Sequence, residues 1–159
     1  IVGCTSGTVG SPGELKGRFL STQALGSICI NSKTGVYGRT RAAFSGPELE
    51  MAFAQEVVPG DAEIWTTVDG EVPKAYRIRI EKVNDADPHR NMILRVTDRQ
   101  LLAKTGGIVQ GMSGSPIVQD GKLVGAVTHV FINDPTQGYG VYIEWMLDAA
   151  ERGEEELSG

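Results

Sequence analysis

The segment 62–83 limits what this chain can fold into more than any other. Ala62 to Val68 reads AEIWTTV, Asp69-Gly70 is a turn dipeptide, and Tyr76 to Val83 reads YRIRIEKV. Tyr76, Ile78 and Ile80 therefore fall on one face, and Arg77, Arg79 and Glu81 on the other. A period of two sends successive side chains to opposite faces of a strand, so this is a hairpin with one face to bury and one to solvate.

The same pattern recurs along the chain. Met92 to Val96 is a short apolar run ending at Thr97-Asp98, Ile117 to Gln119 and Leu123 to Val130 flank the turn Asp120-Gly121, and Val141 to Ile143 is one more strand. Segments 84–91 (NDADPHRN) and 133–140 (NDPTQGYG) read as loops by composition. Between Thr5 and Arg41, short apolar runs alternate with Gly, Ser, Pro and Asn, including a period-two patch at Leu15, Gly17 and Phe19 and a turn at 31–35. Segment 47–58 carries helix formers but is stopped by Pro59-Gly60, which leaves a strand and a short helical turn both open. Arg99 to Ala103 suits a brief helical turn before Gly106-Gly107. Ile143, Met146, Leu147 and Ala150 lie at helical intervals and predict an amphipathic helix that frays at Gly153. Many short strands and one late helix place the chain in the β-barrel or sandwich class.

Composition narrows the functions. A chain of 159 residues, 40% hydrophobic and 22% charged, makes one domain with a real core or two small halves sharing one. Its net charge of -5, with scattered basic residues, argues against nucleic acid as a partner. No window approaches the ~18 continuous apolar residues of a membrane span, and no signal peptide opens the chain, so any export signal or tether is expected outside it. Cys4 and Cys29 fit either a disulfide or two free thiols, and their spacing matches no zinc pattern.

The chemistry concentrates at Gly111-Met112-Ser113-Gly114-Ser115-Pro116, a serine between two glycines ahead of a strand. Such a turn can present a hydroxyl and bring backbone amides close to an oxyanion. A serine hydroxyl needs an imidazole to take its proton and an acid to orient that imidazole. Asp98 follows an apolar strand 15 residues upstream and is the candidate acid, although an aspartate there also suits a helix cap. Neither histidine supplies the base readily: His89 sits in the polar 84–91 loop and His129 lies within a strand. Ser115 competes as nucleophile but directly precedes Pro116. The opening Ile1-Val2-Gly3-Cys4 resembles the mature amino terminus of trypsin-like enzymes, which bury it against an aspartate immediately before the serine. Met112 stands at that position, so the likeness is accidental.

The runs GMSGSP, LVGAVTHV and YGVYIEW resemble the carboxy-terminal half of chymotrypsin-like proteases. Together with PGELKG, AEIWTTVDG and VTDRQLLAKTGGIVQGMSGSPIVQDGK, they identify the chain as similar to the SpoIVB-type sporulation signalling serine peptidases, over nearly its whole length. The resemblance implies a chymotrypsin-like double β-barrel, incomplete in its N-terminal barrel, with a carboxy-terminal helix, and residues 1–159 as one peptidase domain. It implies Ser113 as nucleophile, Asp98 as acid, the N–H groups of Gly111 and Ser113 as oxyanion hole, and Val127, Thr128, His129 and Val130 as the edge pairing with an extended peptide substrate. No metal or organic cofactor is called for.

In that family the catalytic histidine lies in a Gly-His motif upstream of the PGEL segment, and no such motif precedes Pro12 here. The expectation is therefore a fragment lacking its histidine, a PDZ domain and a membrane anchor, and inactive by itself. The full protein is expected between forespore and mother cell, cleaving itself and a membrane-bound regulator of sigma-K processing. Self-association through an exposed strand edge is a further expectation. A non-catalytic peptide-binding module on the same fold is the rival reading, and a relocated His89 base in reach of Ser113 and Asp98 is a third.

Overall fold

The computed structural model describes residues 1–158 except 33, 34, 42, 44, 45, 47 and 88, with side chains as far as residue 152. The predicted hairpin forms from β5 (Gly60–Thr66) and β6 (Lys74–Val83), paired antiparallel with Ala62 opposite Ile78 and Ile64 opposite Tyr76. Alternation decides what is buried: Ile64, Ile78 and Ile80 are fully enclosed, while Arg77, Arg79 and Glu81 face solvent. Four further strands complete the structure around this apolar face: β7 (Met92–Val96), β8 (Pro116–Gln119), β9 (Lys122–Phe131) and β10 (Asp134–Tyr142). They close a six-stranded barrel in the order β10-β7-β6-β5-β8-β9. Closure pairs every strand on both sides over part of its length, and Met92, Leu94, Ile117, Val124 and Val127 fill the interior beside the isoleucines.

Outside the barrel, β1 (Gly3–Thr5) pairs with β2 (Glu14–Lys16), and β3 (Gly26–Ser32) with β4 (Gly35–Thr40). These two-stranded ribbons stand where a double barrel would have its amino-terminal half, which is thus incomplete among the described residues. The short helix α1 (Arg99–Thr105) follows β7, and α2 (Ile143–Ser158) follows β10 and packs on β9, β10 and the β3–β4 ribbon.

Three sequence expectations shift. Segment 133–140 is not a loop but most of β10, because pairing with both β7 and β9 gives its backbone ladder partners that composition does not reveal. α2 continues through Gly153, since a glycine weakens a helix by about 1 kcal/mol without ending it. Of segment 47–58, residues 54–56 form one 3-10 turn, and Pro47 lies outside the described residues, as do 33 and 34 of the predicted 31–35 turn and 88 of the 84–91 loop.

Gly125 lies where β9 meets β10 most closely: a Cβ there would sit 1.9 Å from the Val141 carbonyl oxygen and 2.8 Å from Met92 Cε. Backbone cannot yield as a flexible side chain can, so Gly125→Ala is expected to cost about 3 kcal/mol or more. A urea unfolding midpoint close to that of the unsubstituted chain would contradict this packing.

Candidate active site

The serine loop is held at both ends by residues distant in sequence. On its amino-terminal side, α1 ends at Gly106, and the buried Thr105 hydroxyl donates to the carbonyls of Leu101 and Gly107 at 2.9 and 2.6 Å. The Ile108 N–H then donates to Pro135 O, the Gln110 N–H to Gly13 O, and the Leu15 N–H to Gln110 O. The PGEL segment therefore clamps the loop one residue before Gly111. Past the serine, the Gly114 N–H donates to Val127 O and the Val127 N–H to Ser115 O, which joins the loop to β9.

Within this frame Met112 is fully buried and anchors the turn, while Ser113 points to solvent with its hydroxyl donating to the Thr128 carbonyl at 2.6 Å. Gly111 adopts φ +98 and Gly114 φ +87, backbone that a residue with a Cβ adopts only under strain. Among the described residues, the N–H groups of Gly111 and Ser113 donate to no protein acceptor, whereas those of Met112, Gly114 and Ser115 all do. An oxyanion hole requires backbone donors of this kind, uncommitted and beside an exposed hydroxyl. Ser115 is buried, its N–H given to Met112 O, so it is a turn residue and not a rival nucleophile.

β8 accompanies β9 only as far as Ala126, its partner being Pro116. On that side Thr128, His129 and Val130 meet no strand among the described residues, and this is the stretch expected to receive an extended peptide. A cavity of about 360 Å³ opens beside Ser113, lined by Gly114, Thr128, His129, Met146 of α2 and Val36 of the β3–β4 ribbon. His129 is exposed at its rim. The Asp87 carboxylate accepts from the N–H groups of His89 and Arg90, and among the described residues no hydrogen bond joins His89 to Ser113 or Asp98. Among the described residues nothing clusters as a metal site, and Cys4 and Cys29 are free thiols, with burial pushing the Cys4 thiol up. The Ile1 ammonium donates to the Gly70 carbonyl, far from Met112 in the chain, as an accidental likeness to trypsin-like termini requires.

Among the described residues no hydrogen bond joins Asp98 to Ser113. Asp98 caps α1, one carboxylate oxygen accepting from the N–H groups of Gln100 and Leu101 at 2.9 and 3.1 Å. The other accepts from the Arg77 N–H at 3.4 Å and lies 3.9 Å from the Arg77 guanidinium. Burial raises its pKa, but the backbone donors and Arg77 outweigh that and hold the carboxyl below its ordinary value. Arg77 belongs to β6, and Ser113 bonds to β9. In a closed ring ordered β10-β7-β6-β5-β8-β9, those strands are three steps apart in either direction, hence on opposite sides of the barrel.

Reading the chain in order also misses Leu15, Thr105 and Gln110. Leu15 and Gln110 meet from distant parts of the chain, and Thr105 acts through its hydroxyl on Leu101 and Gly107, a contact that no apolar periodicity marks.

Two crystal structures of Rv3671c share this architecture. One, from M. tuberculosis H37Rv, is a serine-to-alanine mutant in an inactive form, with TM-score 0.60, 17% identity and coverage of 82% of this chain. The other, the Rv3671c protease in an inactive form, gives TM-score 0.58, 16% identity and 80% coverage. The chain spans 65% and 66% of those two chains. The likeness establishes the chymotrypsin-like fold. Among curated proteins none matches the chain. The family model described as SpoIVB peptidase S55 matches residues 1–147, the whole barrel and both ribbons included, so the chain belongs to that family.

Proposed function

We propose that this chain is the peptidase domain of a serine endopeptidase in which Ser113 attacks the peptide carbonyl. One observation carries the reading: Ser113 is exposed at the head of an open strand edge, between two backbone N–H groups that no protein acceptor uses. As the carbonyl becomes tetrahedral its oxygen gains charge, and the N–H groups of Gly111 and Ser113 are placed to receive it. The substrate runs extended along Val127, Thr128, His129 and Val130, adding a strand to β9, with His129 at the rim of its binding site.

The base is a histidine from a Gly-His segment upstream, and the cavity between Ser113, α2 and the β3–β4 ribbon is its seat. In the 159 residues alone the Ser113 hydroxyl is given to the Thr128 carbonyl, an acceptor that cannot carry its proton away. The family supports the finer reading of a sporulation signalling protease, membrane-tethered with a PDZ domain and located between forespore and mother cell. There it cuts itself and a membrane-bound regulator of sigma-K processing.

The test is covalent labelling. A fluorophosphonate should modify Ser113 in the protein extended upstream through the Gly-His motif, with the adduct located by peptide mass. An extended, folded protein that stays unlabelled ends the peptidase reading. If it instead holds an extended peptide intact, the Thr128-bound hydroxyl is its resting state and the chain is a peptide-binding module.

A further inference from the structure

We propose that Arg90 selects an acidic side chain in the substrate, three residues before the one whose carbonyl Ser113 attacks. This rests on the peptidase reading and names what that site takes.

An aromatic shelf continues the outer face of β9 past the open edge. Tyr139 of β10 lies opposite Ile93, which alternates with the enclosed Met92 and Leu94 and so faces outward. The Tyr139 carbonyl accepts the Thr128 hydroxyl at 3.3 Å, and its ring meets that of Phe131 with centroids 4.6 Å apart and planes tilted by 49°. Phe131 stands two residues beyond His129, hence on the same face of the strand. Over the Tyr139 ring lies the Arg90 guanidinium, 4.9 Å from the centroid. Stacking of this kind fixes the plane of a guanidinium and leaves its N–H groups available at the rim.

The loop between β6 and β7 presents Arg90 from a braced position. The Asn84 N–H donates to Asn91 O, which closes the loop, and Oδ1 of the buried Asn91 accepts the Tyr142 N–H at 3.0 Å. The Tyr142 hydroxyl donates to Asp85 at 2.9 Å, and one Asp87 oxygen takes the N–H groups of His89 and Arg90 at 2.9 and 3.1 Å. Both acids of the loop are thus engaged elsewhere. Among the described residues no carboxylate pairs with the exposed Arg90 guanidinium, whereas Arg77, Arg79 and Arg95 each have one. An ordered guanidinium with no anion is a ready receptor for a carboxylate, which its fork can bind through two N–H groups.

Register places that carboxylate in the substrate. The acyl half of the peptide stays on the serine after the amine leaves, so it is the half that the edge has to hold. With the attacked residue beside Thr128, whose carbonyl takes the Ser113 hydroxyl, the residues before it fall in turn beside His129, Val130 and Phe131. Phe131 is three residues from Thr128, about 10 Å along a strand. Neighbours across two strands share a face, so the peptide residue beside Phe131 lays its side chain on the shelf that Arg90 borders. The two rings alone would accept any apolar group, and the guanidinium is what favours an acid.

The experiment uses the protein extended upstream through its Gly-His motif and tetrapeptidyl phosphonates in which phosphorus replaces the attacked carbonyl. Their first residue is Glu, Gln or Lys and the rest are Ala, and the rate of covalent labelling of Ser113 is measured at low and high salt. The Glu probe should react about fivefold faster than the Gln probe at low salt, with the ratio narrowing at high salt. In Arg90→Gln the ratio should fall to within about twofold of unity, and Arg90→Glu should favour the Lys probe. A Glu-to-Gln ratio near unity in the unsubstituted protein, or one that survives Arg90→Gln, would overturn the proposal. So would an equal slowing of both probes in Arg90→Gln, which would make Arg90 a brace for Tyr139 only, or failure of every tetrapeptidyl probe in a protein that a simple fluorophosphonate labels. A folded protein that the simple fluorophosphonate does not label ends the peptidase reading itself, and this inference with it.

Discussion

Ser113→Ala is expected to remove peptide hydrolysis and fluorophosphonate labelling from the extended protein while leaving its fold in place. The side chain makes one hydrogen bond, to Thr128 O, and is exposed, so its loss costs stability only a few tenths of a kcal/mol to about 1 kcal/mol. The activity loss should be roughly 10⁴-fold or more, because no neighbouring group can take its place: Ser115 is buried, and neither Cys4 nor Cys29 lines the cavity beside Ser113. Rates measured on a defined peptide, beside circular dichroism of both proteins, decide it. Residual turnover within tenfold of the unsubstituted enzyme would exclude Ser113 as nucleophile. The 159 residues alone should behave like Ser113→Ala in the same assay, and turnover there that vanished with His129→Ala would assign the base to the rim of the cavity.

The second large effect is expected at Gly111. It adopts φ +98, and an added Cβ would sit 3.1 Å from the Leu15 Cβ, so Gly111→Ala meets both backbone strain and a close side chain on the clamping PGEL segment. The strain costs about 1–3 kcal/mol. Relief comes by rotating the peptide, which turns the Gly111 N–H away from the oxyanion, so kcat should fall about 10²- to 10³-fold with KM little changed. Gly114→Ala is the control: its φ is +87, no atom lies within 4 Å of the added Cβ, and its N–H is already given to Val127 O. Both variants should lose stability, and Gly111→Ala should lose far more rate. Equal kcat losses would mean that the loop responds to strain alone.

The places where local reading succeeded and failed have a common cause. The 62–83 hairpin was legible because alternation is written into consecutive residues and the barrel interior only had to accept its apolar face. Ser113 was legible because a tight turn needs its glycines within the turn itself. The strand at 134–142 was hidden because Asp134, Pro135, Gly138 and Gly140 are poor strand formers that pair only when β7 and β9 flank them. Asp98 was ambiguous from the start, since an aspartate after a strand and before Arg99-Gln100-Leu101 serves equally as acid or cap. Spacing in sequence carries no information on which side of a closed barrel a carboxylate comes to rest.

By itself the sequence determined a mostly β chain, the hairpins, the serine turn and the family, because each depends on the identity and order of neighbouring residues. Only the tertiary structure decided which polar groups meet. Pairing across the folded chain sets the Asp98 carboxylate against Arg77, 21 residues away, and gives the Ser113 hydroxyl to the Thr128 carbonyl, 15 residues away, contacts that no local pattern specifies.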